Sequence, residues 1–222
     1  MNYQNIQKAT FIDRPNRFIA IIELDGKREI CHVKNTGRLK ELLFPGATVW
    51  VEYCPTETRK TKFDLIAVQK DDQIINIDSQ APNKIAAEWI KNSGLFHPES
   101  PIKTEVRCGE SRFDLWVDDT WIEVKGITLN QEGIARFPDA PTLRGVKHLN
   151  ELAKIAKNGG KAMILFVVQM KGIHHVEPND QTHPEFGKAL RDAAKAGVKI
   201  LAIDCIVTPN EIIGDCILPV LL

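Results

Sequence analysis

The sequence lacks any excess of charge, because its 29 Lys and Arg residues are balanced by 29 Asp and Glu residues. A molecule without net charge does not attract polyanions as a whole, so any affinity for nucleic acid must come from local basic patches. Long apolar runs are missing too. The longest clean one, residues 163–168, is far too short to cross a bilayer, and the N-terminus has no apolar signal core. We therefore expect a cytosolic protein with no membrane partner.

Several chemical signatures are also absent. The five cysteines are scattered, odd in number and without a C-x-x-C pair. This pattern favours a reducing compartment with buried or idle thiols over disulfides or a zinc site. The sequence has neither a glycine-rich nucleotide loop nor a nucleophile elbow, which gives little support to a metabolic enzyme acting on a sugar.

The first 80 residues carry short runs of β-forming residues separated by turns. Turn signals stand at Asp25-Gly26 and at Pro45-Gly46. A few short strands in so short a stretch predict a small OB-like β-barrel over residues 1–80. The predicted strands are 18–24, 28–33, 48–53 and 63–68.

Basic residues are in excess in this domain, with 12 Lys and Arg against 8 Asp and Glu over residues 1–70. They gather in loops, as in small barrels that bind single-stranded or distorted nucleic acid, although an ordinary solvated surface explains the charge equally well. Residues 35–38 offer amide, hydroxyl, backbone N–H and guanidinium groups together, which suits a phosphate contact. The predicted nucleic-acid contacts of the barrel are Arg17, Asn35, Thr36, Arg38, Arg59, Lys60 and Lys62, with Arg14 and Lys34 in the same loops.

A polar link at residues 71–83 separates this barrel from a second predicted domain, residues 81–222. Asn83 is a candidate helix cap before an apolar helical stripe. The apolar residues 163–168 occupy both faces of a predicted strand, which indicates full burial. The pattern gives a helix, three strands, a helix, a strand, a helix and a strand, with a last edge strand at 217–222. The predicted fold class is thus mixed α/β, a small OB-like barrel followed by an α/β domain with a mixed central sheet.

Residues 111–125 predict two strands folded back on each other across Asp118-Asp119, because apolar and polar residues alternate on both sides of that pair. Counting outward from a two-residue loop gives the opposed residues. These pairs are Val117 and Thr120, Trp116 and Trp121, Leu115 and Ile122, Asp114 and Glu123, Phe113 and Val124, and Arg112 and Lys125. A three-residue loop or a bulge would instead put the two acids on opposite faces.

Two carboxylates placed directly opposite each other destabilise a hairpin unless a positive charge lies between them. A divalent cation such as Mg²⁺ binds carboxylate oxygens, and Lys125 lies on the same face as Glu123, where an ammonium can help to deprotonate water or stabilise a transition state. Glu88, on the preceding helix, is either a half-exposed residue or a third acid of this site. A solvated strand face with salt bridges remains the alternative to a metal-assisted hydrolytic site.

A second basic cluster follows Thr142, which is a candidate cap for the next helix. Arg144, Lys147 and His148 lie near that helix start, where the dipole disfavours cations, so their presence indicates a phosphate. A merely basic first turn is the alternative. The preceding loop, residues 130–141, has the length of a functional or mobile segment.

The order of elements, together with Asp114, Glu123, Val124 and Lys125, resembles the PD-(D/E)XK, or restriction-endonuclease-like, nuclease fold. Over nearly its whole length the chain is similar to members of the sugar fermentation stimulation protein A family. The motifs that carry this resemblance include Arg17-Phe18, His32-Val33, Asn35-Thr36-Gly37-Arg38, Pro82-Asn83 with Glu88, Ser111-Arg112-Phe113-Asp114, Glu123-Val124-Lys125, Thr128-Leu129, Phe137-Pro138-Asp139-Ala140, Arg144-Gly145 and Lys147-His148-Leu149.

This resemblance implies an OB-like domain that binds DNA, a nuclease-like domain, and a link to the regulation of sugar, especially maltose, utilisation in bacteria. DNA is the expected partner, with RNA an open alternative, and the family context is compatible with a homodimer and with association with the nucleoid. The chain departs from the family pattern after Val168-Gln169, so roles in the loop that follows do not transfer.

The motif and this resemblance together predict metal-dependent phosphodiester hydrolysis. Asp114, Glu123 and the Val124 carbonyl would hold Mg²⁺ or Mn²⁺ with support from Glu88, while Lys125 promotes the attack of water. The side chains expected to bind phosphates beside this site are Arg112, Thr128, Arg144, Lys147 and His148. The competing hypothesis is a DNA-binding transcriptional regulator that uses the nuclease fold as a scaffold.

Overall fold

A computed structural model describes residues 1–222, which divide into two compact units. The first unit comprises Met1–Ala81 with Gln169–Lys171 and Ile206–Ile213, and the second comprises Pro82–Val168, Gly172–Cys205 and Gly214–Leu222. The contiguous division predicted from the sequence, 1–80 and 81–222, leaves out the two late segments that belong to the first unit.

The first unit is a closed β-barrel. Its strands pair in the order β3-β2-β1-β4-β5-β6, and an additional parallel pairing of β3 with β5 closes the first five into a ring. Phe11, Ile22 and Leu65 are fully buried inside it. The predicted OB-like fold is therefore confirmed. The strands are β1 (Ile6–Asn16), β2 (Ile19–Leu24), β3 (Lys27–Val33), β4 (Thr48–Tyr53), β5 (Phe63–Lys70) and β6 (Gln73–Asn76).

Two of these strands were not predicted. Strand β1 buries only Ala9 and Phe11 of its 11 residues, so its sequence shows little alternation. Strand β6 lies within the stretch predicted as a polar link, and it pairs antiparallel with β5. Backbone pairing with a neighbour, rather than a clear apolar pattern, makes both of them strands.

The second unit has a six-stranded sheet in the order β15-β14-β12-β9-β8-β7. Strand β12 pairs in parallel with β9 and β14, whereas β8 pairs antiparallel with β7 and β9, so the sheet is mixed, as predicted. The main elements are α1 (Ala81–Asn92), β7 (Lys103–Cys108), β8 (Ser111–Val117), β9 (Thr120–Ile127), α2 (Leu143–Lys157), β12 (Lys161–Val168), α3 (Pro184–Lys195), β14 (Lys199–Thr208) and β15 (Glu211–Leu218).

Three details of this unit differ from the prediction. The predicted loop 130–141 contains β10 (Asn130–Gln131) and β11 (Ile134–Phe137), which form a small sheet with β13 (His175–Pro178). The last strand is β15 rather than residues 217–222, and α1 begins two residues before Asn83. The longest helix, α2, has 15 residues, and none of the helices has the length and apolar character needed to traverse a bilayer.

Candidate active site and nucleic-acid interface

The hairpin between β8 and β9 turns through two aspartates. Asp118 and Asp119 have positive φ angles of 45° and 61°, as the central residues of a type I′ turn do. Trp116 then pairs with Trp121, as expected for a two-residue loop. This part of the predicted register is confirmed.

The ladder between β8 and β9 ends at the pair Leu115 and Ile122, before it reaches the two acids. Beyond that pair, the Asp114 side chain rather than the backbone of β8 forms the hydrogen bond to β9. Its Oδ2 accepts the Val124 backbone N–H at 2.8 Å, and its Oδ1 accepts the Asn83 amide at 2.9 Å. The two acids are therefore not a paired rung of the ladder, and Asp114 is instead held by one backbone and one side-chain donor.

Glu123 lies in the interior of the second unit, with only 2% of its surface exposed. Its Oε1 accepts hydrogen bonds from His148 Nδ1, at 2.5 Å, and from Lys125 Nζ. Burial raises the pKa of Glu123, but these two donors outweigh burial and hold the pKa below its ordinary value. Its Oε2 is buried without any hydrogen-bond partner.

The pKa values of the two acids are shifted in opposite directions. Burial raises the pKa of Asp114, the negative charge of Glu123 raises it further, and the hydrogen bond from Val124 compensates only in part. Titratable groups whose pKa values are pushed apart in this way are typical of catalytic sites, although structural ion pairs produce the same effect. The geometry thus provides one strongly ionised carboxylate beside one that retains its proton more readily.

The donor set fits a hard divalent cation. A buried carboxylate oxygen without a partner is destabilising, and a cation that binds it removes that penalty. Oε2 of Glu123 is such an oxygen, and the nearby charge of Asp114 adds to the negative potential. Magnesium and manganese both prefer oxygen ligands of this kind.

The other predicted site residues of the second unit, Glu88, Val124 and Thr128, do not all contribute a side chain to this acid cluster. Glu88 is exposed on α1, and the α1 residue that reaches Asp114 is Asn83. The two positions are five residues apart along the helix, which corresponds to about 140° around its axis, so the side chains lie on different sides of α1. Val124 contributes its backbone N–H to Asp114. Thr128 is buried.

The predicted phosphate contacts near α2 differ in their exposure and in their partners. His148 is 4% exposed and bound to Glu123, so it belongs to the acid cluster rather than to the surface. Arg112 pairs with Arg107 of β7, not with Lys125, and its Nε lies 2.8 Å from Glu105. Exposed on α2 are Arg144 and Lys147, the latter 3.9 Å from both Glu110 and Glu151.

In the barrel, two of the predicted phosphate contacts already have partners within the protein. Arg59 forms an ion pair with the buried carboxylate of Asp64, which also has Lys34 within 3.4 Å. Asn35 uses its side chain to accept the Gly37 N–H at 2.8 Å. The predicted contacts that remain exposed are Arg17, Thr36, Arg38, Lys60 and Lys62.

Sequence reasoning missed two contacts of the acid cluster. Asn83 was interpreted as a helix cap, and nothing in the sequence separates that role from a contact with a distant strand. His148 carried a usable signal, because the buried face of α2 consists of Gly145, His148, Leu149 and Leu152. This i, i+3, i+4, i+7 spacing places the histidine on the inner stripe of the helix.

The fold and the site define a protein in which an OB-type barrel precedes a mixed α/β unit with a cluster of two acids and a lysine. Residues 12–77 match the family model described as SfsA N-terminal OB domain, and residues 80–211 match the one described as Sugar fermentation stimulation protein RE domain. The chain belongs to the sugar fermentation stimulation protein A family.

Relatives in this family are similar over nearly their whole length. A sugar fermentation stimulation protein homolog of Desulfitobacterium hafniense strain Y51 is 53% identical over 216 residues, which cover 96% of this chain and 94% of the relative. The homolog of Clostridium beijerinckii is 52% identical, with 96% of each chain covered. The structure of Pyrococcus furiosus SfsA in complex with Ca²⁺ superposes with a TM-score of 0.90 at 30% identity, over 100% of this chain and 98% of that one.

Proposed function

We propose that this chain binds nucleic acid, with DNA as the expected partner, and hydrolyses phosphodiester bonds with the help of Mg²⁺ or Mn²⁺. The observation that carries the proposal is the buried Oε2 of Glu123, which has no partner although Asp114 and Lys125 lie in the same cluster. A relative described in complex with Ca²⁺ supports affinity for a hard divalent cation in this family.

In this proposal Asp114 and Glu123, with the Val124 carbonyl, would hold the ion, whereas Glu88 lies on a different side of α1 from the residue that reaches Asp114 and is not assigned to it. The ion, when bound, supplies Lewis-acid stabilisation of charge on the attacked phosphate. Lys125, tethered to Glu123, adds an ammonium that stabilises the same developing charge. Asn83 and His148 fix the orientation of the two carboxylates.

Substrate binding is assigned to exposed basic groups in each unit. Phosphates attract Lys and Arg side chains regardless of sequence, so these groups would give salt-sensitive and largely non-specific affinity. They are Arg17, Arg38, Lys60 and Lys62 with Thr36 in the barrel, and Arg112, Arg144 and Lys147 in the second unit.

One observation favours a second function, that of a DNA-binding regulator without hydrolytic activity. Lys125 and His148 already compensate Glu123, and Asn83 with Val124 already bind Asp114. The cluster is therefore partly neutralised without a cation. A role in regulating sugar utilisation, action as a homodimer and location in the cytosol belong to this proposal as well as to the first.

The deciding experiment measures hydrolysis of labelled single- and double-stranded DNA and RNA with Mg²⁺, Mn²⁺ or EDTA. We expect metal-dependent cleavage by the wild type, with Lys125→Ala and Asp114→Asn each lowering the rate by about 100-fold or more. Lys154→Ala, at an exposed lysine of α2, is the control and retains full activity. Salt-sensitive binding without cleavage, unchanged in both site variants, would refute hydrolysis and favour the regulator instead.

A further inference from the structure

An aromatic ring is exposed on the turn between β1 and β2 of the barrel. Phe18 is 51% exposed, and the Arg17 guanidinium lies 5.7 Å from the centroid of its ring. A large apolar ring in water is unfavourable, and a cation beside its face attracts both the ring and any anion that approaches. The pair thus combines an apolar surface with a positive charge.

The exposure of this ring is not the result of a loose loop. Asn16 Oδ1 accepts the backbone N–H groups of Phe18, at 2.9 Å, and of Ile19, at 3.1 Å. The Phe18 carbonyl accepts the Val33 N–H at 2.8 Å. Because both backbone polar groups of Phe18 are bound, the turn holds its ring outward in a fixed place.

A single half-buried guanidinium joins this turn to the neighbouring loop. Arg14 donates to the carbonyls of Arg17, at 2.8 Å, and Asn35, at 2.6 Å. It also donates to the carbonyls of Gly37, at 2.7 Å, and Arg38, at 2.9 Å. The turn that carries Phe18 and the loop that carries Arg38 therefore keep a fixed relative position, and we call the exposed residues Arg17, Phe18, Thr36 and Arg38 the Phe18 patch.

We propose that Phe18 stacks on an unpaired nucleobase, so that the barrel selects single-stranded over duplex nucleic acid. This inference rests on the proposed nucleic-acid binding and adds the base to the phosphate as a recognised group. The Arg17 cation beside the ring, with the exposed Arg38 in the loop that Arg14 fixes next to it, favours a polyanion over an apolar protein segment as the molecule that covers the ring. Bases within a duplex are already stacked on each other, and only unpaired ones present a free face to an aromatic ring.

The test compares labelled oligothymidylate, an abasic oligomer of equal length and phosphate number, and a duplex, by fluorescence anisotropy. We expect the wild type to bind oligothymidylate about tenfold more tightly than the abasic oligomer, the usual contribution of one stacked base. Phe18→Ala removes this preference, Phe18→Trp retains it, and the salt dependence is unchanged in both. Phe44→Ala is the control, because Phe44 is 49% exposed in the same unit but lies outside the patch.

The outcomes separate this inference from the function on which it rests. If the wild type binds the thymidylate and abasic oligomers equally, stacking is refuted while phosphate binding stands. A preference that survives in Phe18→Ala would overturn the assignment of this residue. Binding of none of the three probes would remove both the inference and the proposed nucleic-acid binding.

Discussion

His148 on α2 and Glu123 on β9 share a buried hydrogen bond of 2.5 Å between Nδ1 and Oε1. Because this bond and the contact from Lys125 hold the pKa of Glu123 below its ordinary value of 4.5, the ionised carboxylate stabilises the fold. The unfolded chain takes up the proton first on acidification. The stabilisation is therefore complete above the ordinary value and is lost as the pH falls through the lower value of the folded state.

Replacing His148 by Ala should lower the free energy of unfolding at neutral pH by about 2 kcal/mol, because a buried carboxylate loses a donor. The difference from the wild type should shrink in acid, where Glu123 becomes protonated. Urea denaturation at neutral pH and in acidic buffers measures both quantities.

The control for this prediction is His175→Ala. His175 Nε2 lies 2.8 Å from Glu177 Oε1, but both side chains are partly exposed. Solvent screens such a pair, so its loss should cost less than about 1 kcal/mol. Equal destabilisation by the two substitutions would contradict the argument from burial.

Asp114→Asn should stabilise the protein while abolishing hydrolysis. The pKa of Asp114 is raised, so its ionised form opposes folding at neutral pH. An uncharged amide should increase the free energy of unfolding by on the order of 1 kcal/mol, and the gain should vanish in acid, where the carboxyl is protonated in both states. Urea denaturation over the same pH range provides the measurement, and a loss of stability at neutral pH would count against the raised pKa.

Asn83→Ala tests the orientation of Asp114. Without the amide, Oδ1 of Asp114 loses its fixed donor, so affinity for Mg²⁺ or Mn²⁺ should fall about tenfold. Hydrolysis should recover at high metal concentration, which a direct role in chemistry would not allow. Calorimetric metal titration gives the affinity, and Asn92→Ala, at the other end of α1, should bind metal like the wild type.

Arg14→Lys should reduce the free energy of unfolding by about 2 kcal/mol, since one ammonium cannot reach the four carbonyls that the guanidinium binds. Arg17→Lys, at an exposed position three residues away, should change stability by less than about 0.5 kcal/mol. Thermal denaturation of the two variants decides the matter. Similar midpoints would show that Arg14 does not organise the loops.

Arg38→Ala should weaken binding to all sequences equally and reduce the salt dependence. Loss of one phosphate contact lowers the slope of log K against log salt by about 0.9 for duplex DNA or about 0.7 for single strands. Lys27→Ala is the matched control, because it lies at the far end of the β2–β3 hairpin from Phe18. An unchanged slope would remove Arg38 from the phosphate contacts.

The sequence predicted the hairpin register well because both signals are local. Two adjacent aspartates tolerate the positive φ angles of the turn, and strict alternation fixes which residues share a face. The end of the ladder was not predictable in this way. It accompanies a side-chain contact that alternation does not reveal, in which Asp114 accepts the Val124 N–H.

Charge patterns were a less reliable guide than periodicity. Arg59 and Arg14 looked alike in sequence, yet one is bound to Asp64 and the other to four carbonyls. A basic residue is visible in the sequence, but its partner is not: Asp64, although near Arg59 in sequence, is buried on β5, and three of the four carbonyls that Arg14 binds belong to residues 35–38. The burial of His148, by contrast, could be predicted from the sequence, because its helical spacing places it on the inner face of α2.

The two acids are anchored with unequal rigidity. Strand β9 pairs in parallel with β12 without interruption, with Glu123 opposite Ile164 and Lys125 opposite Phe166. Ile164 and Phe166 are both fully buried. A shift of that register by one residue would move the Glu123 carboxylate to the opposite face of the sheet, away from His148. The Asp114 side chain, by contrast, is positioned by two hydrogen bonds beyond the end of the β8–β9 ladder. Attempts to redesign the chain for a larger or softer ion should therefore vary positions 83 and 114 and leave the central strands untouched.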